Sequence, residues 1–427
     1  MLVVFTSCEI EEIVNPNSPN VGAFLQNPSK ADINLLVNGL EARTRDTRAS
    51  YIIATGSISR ELYFFNSSDP TTLATLLGKD GLVLTGSEPQ LTGTMAARYS
   101  AVKSCEFILE AVANTSDPDI TAAEKDGYRG IANTIKAYSL LEVLTLTNSS
   151  GIRVDVADPE NLGPVLGRDA AYTAITDLLN EAFTQLQGAE FGFGLSAGFE
   201  GFDTPNTFAQ FNRAIAARAA LYREDYESTL SLVQQSFLDL NGDLSTGPKR
   251  IYGLTGFEIQ NPIFKPPQQS GDQFIVHNRF IEDIETGDTR IDKFRLRNDP
   301  VARDGVNGTH ELALYATNVD PIDHIRNEEL ILIYAEANIQ ASTGDLNEAV
   351  AALNIIRNAY GLADYAGDVT QEALTDELLY NRSYSLFAEG HQMLDLRRYN
   401  RLNDQFLPID RVGDIIHTEF PLPPFDQ

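Results

Sequence analysis

The chain has 427 residues with 32 basic and 60 acidic side chains, and its formal net charge at pH 7 is −28. This charge disfavours nucleic acids and bare anionic membrane surfaces as partners, because both are polyanionic. The length allows two or three average domains or one large one, and such a chain can fold without a disulfide or a metal.

The first feature along the chain is Cys8, which follows the short apolar run 2–7 and precedes the acidic stretch EIEE. The small residues directly before it resemble a bacterial lipobox, in which the thiol is acylated and becomes the new amino terminus. The alternative is a small apolar core residue, since free cysteine is often buried. No run approaches the roughly 18 apolar residues of a membrane-spanning helix, so membrane attachment would need covalent lipid. We predict that residues 1–8 are the remnant of a lipoprotein signal.

An aromatic segment, ELYFFNSSDPTT, follows at residues 61–72. Sugar capture relies on flat aromatic faces surrounded by hydrogen-bonding groups. The chain has no tryptophan, so tyrosine and phenylalanine would have to supply these faces. The alternative is that the aromatic side chains anchor the loop to the body of the protein.

The second cysteine, Cys105, lies in the helical apolar pattern RYSAVKSCEFILEAV, which predicts a buried thiol. With Cys8 acylated, no internal disulfide is expected.

Two distant segments, 212–238 and 332–358, have the same pattern. Each has an alanine-rich helix, a polar break that ends in aspartate (Asp225 and Asp345) and a second amphipathic helix. Small residues where the helices cross favour close approach, as in tetratricopeptide-like hairpins. A third, divergent pair is predicted at 127–146 and 169–187, and a fourth begins within 374–402.

The remaining segments have another character. Residues 188–206 are rich in glycine and phenylalanine, and residues 239–321 are rich in Gly, Pro, Asp and Asn with short β-like pieces. Their aromatic content disfavours disorder. We therefore predict a mainly α fold, with a hairpin scaffold at about 30–238 and 322–402 and an irregular, loop-rich insertion at about 239–321.

Residues for catalysis or metal binding do not stand out. The five histidines are dispersed without zinc-ligand spacing, and no phosphate loop or G-x-S-x-G elbow is present. DLNGD (239–243) resembles the start of a calcium loop, but its twelfth position is Arg250 instead of a bidentate acid. With 60 acidic residues, carboxylate pairs are expected by chance. We predict no catalytic residue, no metal site and no cofactor.

The most specific motifs lie near the carboxyl terminus. Residues 325–362 carry an Arg–Glu helix ending in Ala-Glu-Ala, then Gly-Asp, then a Leu-Asn-x-Ile-Arg helix closed by Gly-Leu. NRSYSLFAEGHQMLDLRRYNRL (381–402), GDTRIDKF (287–294) and FPLPPFD (420–426) follow the same family pattern. Together these motifs resemble the SusD/RagB family of Bacteroidetes outer-membrane nutrient-binding lipoproteins. The chain departs from that pattern at Asn381, where glutamate is usual, and at Tyr399, where an indole often stands.

The resemblance implies one SusD-like domain over residues 9–427, anchored at the cell surface through lipid on Cys8. It implies capture of an oligosaccharide or peptide nutrient for a SusC-like TonB-dependent transporter, without catalysis. The family's ligand face implies Tyr63, Phe65 and Asn66 as binding residues. Further candidates are Phe274, Asn278 and Tyr315. The alternative function is a helical-repeat interaction scaffold without a small ligand.

Charged residues in the motif region have a structural explanation. Bidentate Arg–carboxylate pairs at helix junctions satisfy buried charge and fix docking geometry. We expect this role for Arg326, Glu329, Glu336, Arg357, Arg382, Glu389, Asp395 and Arg397.

Overall fold

The structure is a computed structural model that describes residues 25–69, 71–256 and 258–424. Cys8 lies outside these residues, so its acylation stays a prediction. The helices are α1 (Lys30–Arg43), α2 (Arg48–Ile58), α3 (Thr71–Leu76), α4 (Pro89–Asn114), α5 (Ala122–Thr147), α6 (Arg168–Leu186), α7 (Pro205–Arg223), α8 (Tyr226–Gln234), α9 (Arg279–Glu282), α10 (Asn327–Gln340), α11 (Leu346–Ala359), α12 (Gln371–Ser385) and α13 (Gln392–Arg398). The strands are β1 (Leu62–Phe65), β2 (Ile152–Arg153), β3 (Val165–Leu166), β4 (Lys249–Arg250), β5 (Gln273–Val276), β6 (Phe294–Arg303), β7 (Val306–Leu312) and β8 (Ile322–Asp323).

The predicted hairpins are present. α5 packs on α6, α7 on α8, and α10 on α11, while α12 and α13 follow as the start of the fourth unit. Both aspartates of the polar breaks begin a helix: Asp225 accepts the amide of Ser228 at 3.1 Å, and Asp345 accepts the amide of Asn347 at 2.8 Å. Each carboxylate therefore satisfies an amide that the helix leaves free, which is why these turns end at aspartate.

The insertion holds more strand than its sequence predicts. β6 and β7 form a long antiparallel hairpin, and a four-stranded antiparallel sheet has the order β1-β5-β7-β6. β1 lies in the amino-terminal region and β5 in the insertion, so this sheet joins the two segments that sequence analysis treated separately. A second link is the short antiparallel pair of β4 and β8, in which Lys249 lies opposite Asp323.

The charged side chains of the motif region lie at helix junctions, as expected. The guanidinium of Arg382 contacts Asp395 at 2.7 Å with neither side chain more than 3% exposed. Other pairs at these junctions are Arg218–Glu329, Arg326–Glu328, Arg326–Glu389, Arg357–Glu377 and Arg398–Glu336. Arg397 differs, because it donates to the backbone carbonyls of Thr418 and Thr145.

The two positions that depart from the family pattern keep polar contacts. Asn381 is fully buried, and its side-chain carbonyl accepts a hydrogen bond from Arg290 at 3.2 Å. The hydroxyl of Tyr399 donates to Glu336 at 2.9 Å. Each replacement therefore still supplies a hydrogen-bonding group to its junction.

The apolar core consists of one large cluster and two smaller ones. The large cluster extends from Leu25 to Phe420 and includes Cys105, whose thiol is fully buried, as predicted. A second cluster lies among α10, α11 and α12, and a third lies beneath β1 and β5. Across the described residues, the apolar stretch of each helix is too short or too interrupted to cross a membrane.

Candidate functional site

The two strands β1 and β5 bring together three of the six predicted ligand residues, Tyr63, Phe65 and Phe274. Phe64 lies opposite Phe274, and Tyr63 lies opposite Ile275. However, Tyr63, Phe65 and Phe274 are only 1–2% exposed. Tyr63 and Phe65 point into the third core cluster, beside Leu73, Leu77 and Val306. The expectation that these three rings present a face to a ligand is therefore not met, because the sheet buries them.

The predicted asparagines serve the backbone near this sheet. The side-chain carbonyl of Asn66 accepts the amide of Ser68 at 2.8 Å, which forms a turn after β1. The amide of Asn278 donates to Asn307 at 3.3 Å. Both side chains are half-buried, and neither lines one of the two large cavities described next.

A cavity with a volume of about 530 Å³ lies beside α1, and we call it the α1 cavity. One wall is a stripe of polar side chains on α1, and the other consists of residues 193–196, which belong to the glycine-rich segment 188–206. Its floor includes residues 249–251 of the β4 region and His324, which follows β8. The stripe consists of Asn34, Asn38 and Glu41, and Arg45 lines the cavity just beyond the end of α1.

A second cavity of about 480 Å³ contains Tyr315, and we call it the Tyr315 cavity. Tyr315 is half-buried, and Tyr360 lines the same space. The residues that line it come from the insertion and from the starts of the carboxyl-terminal hairpins. The charged groups at this cavity are Asp243, Lys293, Asp320, Asp323, Arg326, Glu328 and Glu389.

The charges at the Tyr315 cavity interact with one another. Arg326 contacts Glu328 at 2.7 Å and Glu389 at 2.5 Å. The Lys293 ammonium donates to the backbone carbonyls of Tyr384 and Ser385, each at 2.7 Å, and burial lowers its pKa to about 8. Burial raises the pKa of Glu389, although the positive charge of Arg326 opposes that shift. This arrangement offers carboxylates and cations to ligand hydroxyls beside two tyrosine rings.

The α1 cavity is not among the predicted sites. A signal for it was available, because residues 34, 38 and 41 have the spacing of one helix face. Nothing in the sequence placed His324 beside them, because that contact depends on the pairing of β4 with β8.

Metal-ligand geometry is not found within residues 25–69, 71–256 and 258–424, where no group of three or more His, Cys, Asp or Glu side chains could hold an ion. The DLNGD segment uses its acids for turns. Asp239 accepts the amide of Asn241 at 2.9 Å, and Asp243 accepts that of Ser245 at 2.8 Å.

Comparison with known proteins gives a family match for part of the chain. Residues 283–426 match the profile described as the SusD family. No curated protein sequence matches the chain.

Solved structures match over most of the chain. Surface glycan-binding protein A from Bacteroides thetaiotaomicron has a TM-score of 0.70 and 14% identity, with 93% of this chain and 94% of that chain covered. A SusD superfamily protein from Bacteroides fragilis also has a TM-score of 0.70 and 14% identity, with 93% and 97% covered. A SusD-like carbohydrate binding protein from Bacteroides vulgatus has a TM-score of 0.63 and 15% identity, with 86% and 83% covered. These likenesses establish a shared fold.

Proposed function

We propose that this chain is a surface-exposed, lipid-anchored protein of the SusD family that binds an oligosaccharide nutrient, on the premise that residues 283–426 match the profile of that family. The observation that carries the proposal is the fold shared over 93% of the chain with a surface glycan-binding protein. Peptide is the other ligand class that the family resemblance allows. The bound nutrient would pass to a SusC-like TonB-dependent transporter in the outer membrane, without any bond being broken.

We assign the nutrient to the Tyr315 cavity. Tyr315 and Tyr360 can offer aromatic surface to a sugar ring, and the surrounding carboxylates and cations can hydrogen-bond its hydroxyls. The volume of about 480 Å³ lies within the usual range for small-ligand sites, about 300–1,000 Å³.

The ligand assignment can be tested with glycan and peptide arrays, followed by calorimetry on the best ligand. Tyr315→Ala should weaken binding about fivefold or more, because it removes a stacking surface worth about 1–3 kcal/mol. Phe406→Ala is the matched control, since this ring is 52% exposed and lies outside both cavities. A ligand that binds both variants equally would contradict this site, and a chain that binds only peptides would contradict the glycan class.

The lipid anchor is tested separately by metabolic labelling with a fatty-acid probe in the native host. Cys8→Ala should abolish labelling and release the protein from the membrane fraction. Cys105→Ala is the control and should keep the label, because this thiol is fully buried in the core. Labelling that survives Cys8→Ala would rule out the anchor.

The transporter partner is tested by genome position and by co-purification. We expect a TonB-dependent transporter gene in the adjacent reading frame and its product in detergent extracts pulled down with this chain. A scaffold without a small ligand would instead lack both the neighbouring barrel gene and any array signal.

A further inference from the structure

The α1 cavity is built from fixed elements. On α1 its polar stripe consists of Asn34, Asn38 and Glu41, which are spaced by four and three residues, so these side chains share one helix face. The opposite wall is held against that face, because Glu41 accepts the amide of Ser196 at 3.0 Å and Asn34 donates to the carbonyl of Gly192 at 3.1 Å. Phe193 lines the cavity and packs against Tyr128, with their ring centroids 4.8 Å apart.

His324 on the floor of the cavity has unused hydrogen-bonding capacity. It is 3% exposed, and neither ring nitrogen has a hydrogen-bond partner among the described residues. Its ring lies among those of Phe199, Tyr138 and Phe211, whose centroids are 5.5–5.9 Å from the centroid of the His324 ring. A buried polar group without a partner destabilises the folded state, and native proteins contain few of them.

The imidazole of His324 is neutral at pH 7. Burial lowers its pKa well below the usual 6.5, and the charge of Arg250 lowers it further. A neutral imidazole has one donor nitrogen and one acceptor nitrogen. A hydroxyl group also both donates and accepts, so it complements either nitrogen.

The charged groups of the α1 cavity already have partners within the protein. Arg45 pairs with Glu258 and donates to the carbonyl of Ile251 at 3.0 Å. Lys249 pairs with Asp323. A charged ligand would have to break these contacts, whereas an uncharged one leaves them in place.

Arg250 on the floor is paired in the same way. Its guanidinium donates to the carbonyls of Thr44 at 3.0 Å and Asp323 at 2.7 Å, and to the hydroxyl of Tyr138 at 2.7 Å. It has no exposed side-chain surface. The floor therefore offers His324 as its unsatisfied group.

We propose that the α1 cavity is a second binding site, specific for a neutral hydroxylated ring such as one sugar residue, whose hydroxyl group hydrogen-bonds His324. The stripe on α1 supplies amide and carboxylate groups for further hydroxyls, and Phe193 supplies an apolar wall. This inference extends the proposed function and rests on it, because the proposed function is the reason for choosing a sugar among hydroxylated rings.

The direct test is nuclear magnetic resonance on the wild-type chain with isotope-labelled histidine. The chain has five histidines, so the spectrum contains few ring signals. The probes are maltose, cellobiose and lactose, with glucuronate and glucosamine as charged comparisons. We expect saturable shifts of the His324 ring signals with at least one neutral disaccharide and none with the charged sugars. Equal shifts with charged sugars would overturn the assignment to neutral rings.

Two variants give a second readout by calorimetry with the same disaccharides. His324→Phe should weaken binding about tenfold without lowering the melting temperature, because it removes a polar group that has no partner. Asn38→Ala changes an exposed position on the stripe and should weaken binding about twofold to tenfold while leaving the fold intact. Because the labelled wild type needs no substitution, the test does not depend on either variant folding.

The outcomes separate this inference from the proposed function. If a carbohydrate binds, if Tyr315→Ala abolishes that binding, and if the His324 signals stay fixed, then the second site is wrong and the proposed function stands. If no carbohydrate binds in any assay, both are wrong.

Discussion

Glu61, directly before β1, is a carboxyl group with no exposed surface. One of its oxygens accepts the amide of Ala388 at 3.0 Å, and the other has no hydrogen-bond partner among the described residues. Burial raises its pKa to about 8, although that hydrogen bond and the charge of Arg279 oppose the shift. The group therefore keeps its proton in the folded protein at neutral pH.

This protonation predicts how stability depends on pH. Between about pH 4.5 and 8, the folded state holds the proton on Glu61 and the unfolded state has released it. This group should therefore lower the free energy of unfolding by about 1.4 kcal/mol for each unit of rising pH. Glu61→Gln should remove that contribution, so urea denaturation at several pH values should show the variant gaining stability over the wild type as pH rises. Parallel pH profiles would contradict the assignment.

At the same scale, the burial of Tyr63 and Phe65 follows from strand parity. The sequence shows an aromatic segment at 61–72, but successive side chains in a strand point to opposite faces. Tyr63 and Phe65 share the buried face, whereas Phe64 is half-buried, with the Lys265 ammonium 5.4 Å from its ring centroid. The face that each ring occupies depends on the partner strand β5, which is distant in sequence.

At the scale of elements, glycines in the helices differ in what surrounds them. A Cβ atom on Gly127 of α5 would lie 2.2 Å from the backbone carbonyl oxygen of Glu190. A Cβ atom on Gly39 of α1 would have no atom within 4 Å apart from its chain neighbours and the backbone of its own helix. Gly127 therefore permits a close approach between α5 and the glycine-rich segment, whereas Gly39 has no such steric role.

This contrast predicts opposite effects of the same substitution. Gly127→Ala should lower the free energy of unfolding by about 1–3 kcal/mol, because the backbone must shift to admit the methyl group. Gly39→Ala should raise it by about 0.5–1 kcal/mol, since alanine is the better helix former. Chemical denaturation of the two variants measures both values. A Gly127→Ala variant as stable as the wild type would contradict the close contact.

The helices could be predicted well from sequence and the sheet could not, for a physical reason. Helical periodicity and aspartate caps are local signals, so α7, α8, α10 and α11 emerge from their own residues. The sheet instead depends on β1 pairing with β5. That pairing leaves no local periodic signal, because all four residues of β5 are buried.

At the scale of the whole molecule, α10 connects two apolar clusters. Leu330 and Ile333 belong to the large cluster, whereas Ile331 and Leu332 belong to the cluster shared with α11 and α12. All four side chains are fully buried. A helix buried on both faces couples the stability of the regions that it joins.

We therefore expect the two clusters to unfold together. Ile331→Ala should lower the free energy of unfolding by about 2–5 kcal/mol through loss of buried volume. Native-state hydrogen exchange should show the most protected amides of α5 and of α11 losing equal protection in this variant. A loss confined to α10–α12 would show that the second cluster unfolds independently. Val350→Ala, at a half-buried position of α11, is the milder comparison.

The fully buried guanidinium of Arg60 has consequences for how the chain is made. Its carboxylate partner is Asp410, 3.3 Å away, so the charge stays uncompensated until that late residue has been synthesised. Hydrogen bonds from Arg60 to Leu77 and Ile415 close the same junction. The junction around Arg60 therefore cannot close until residues 410–415 of the chain have been synthesised.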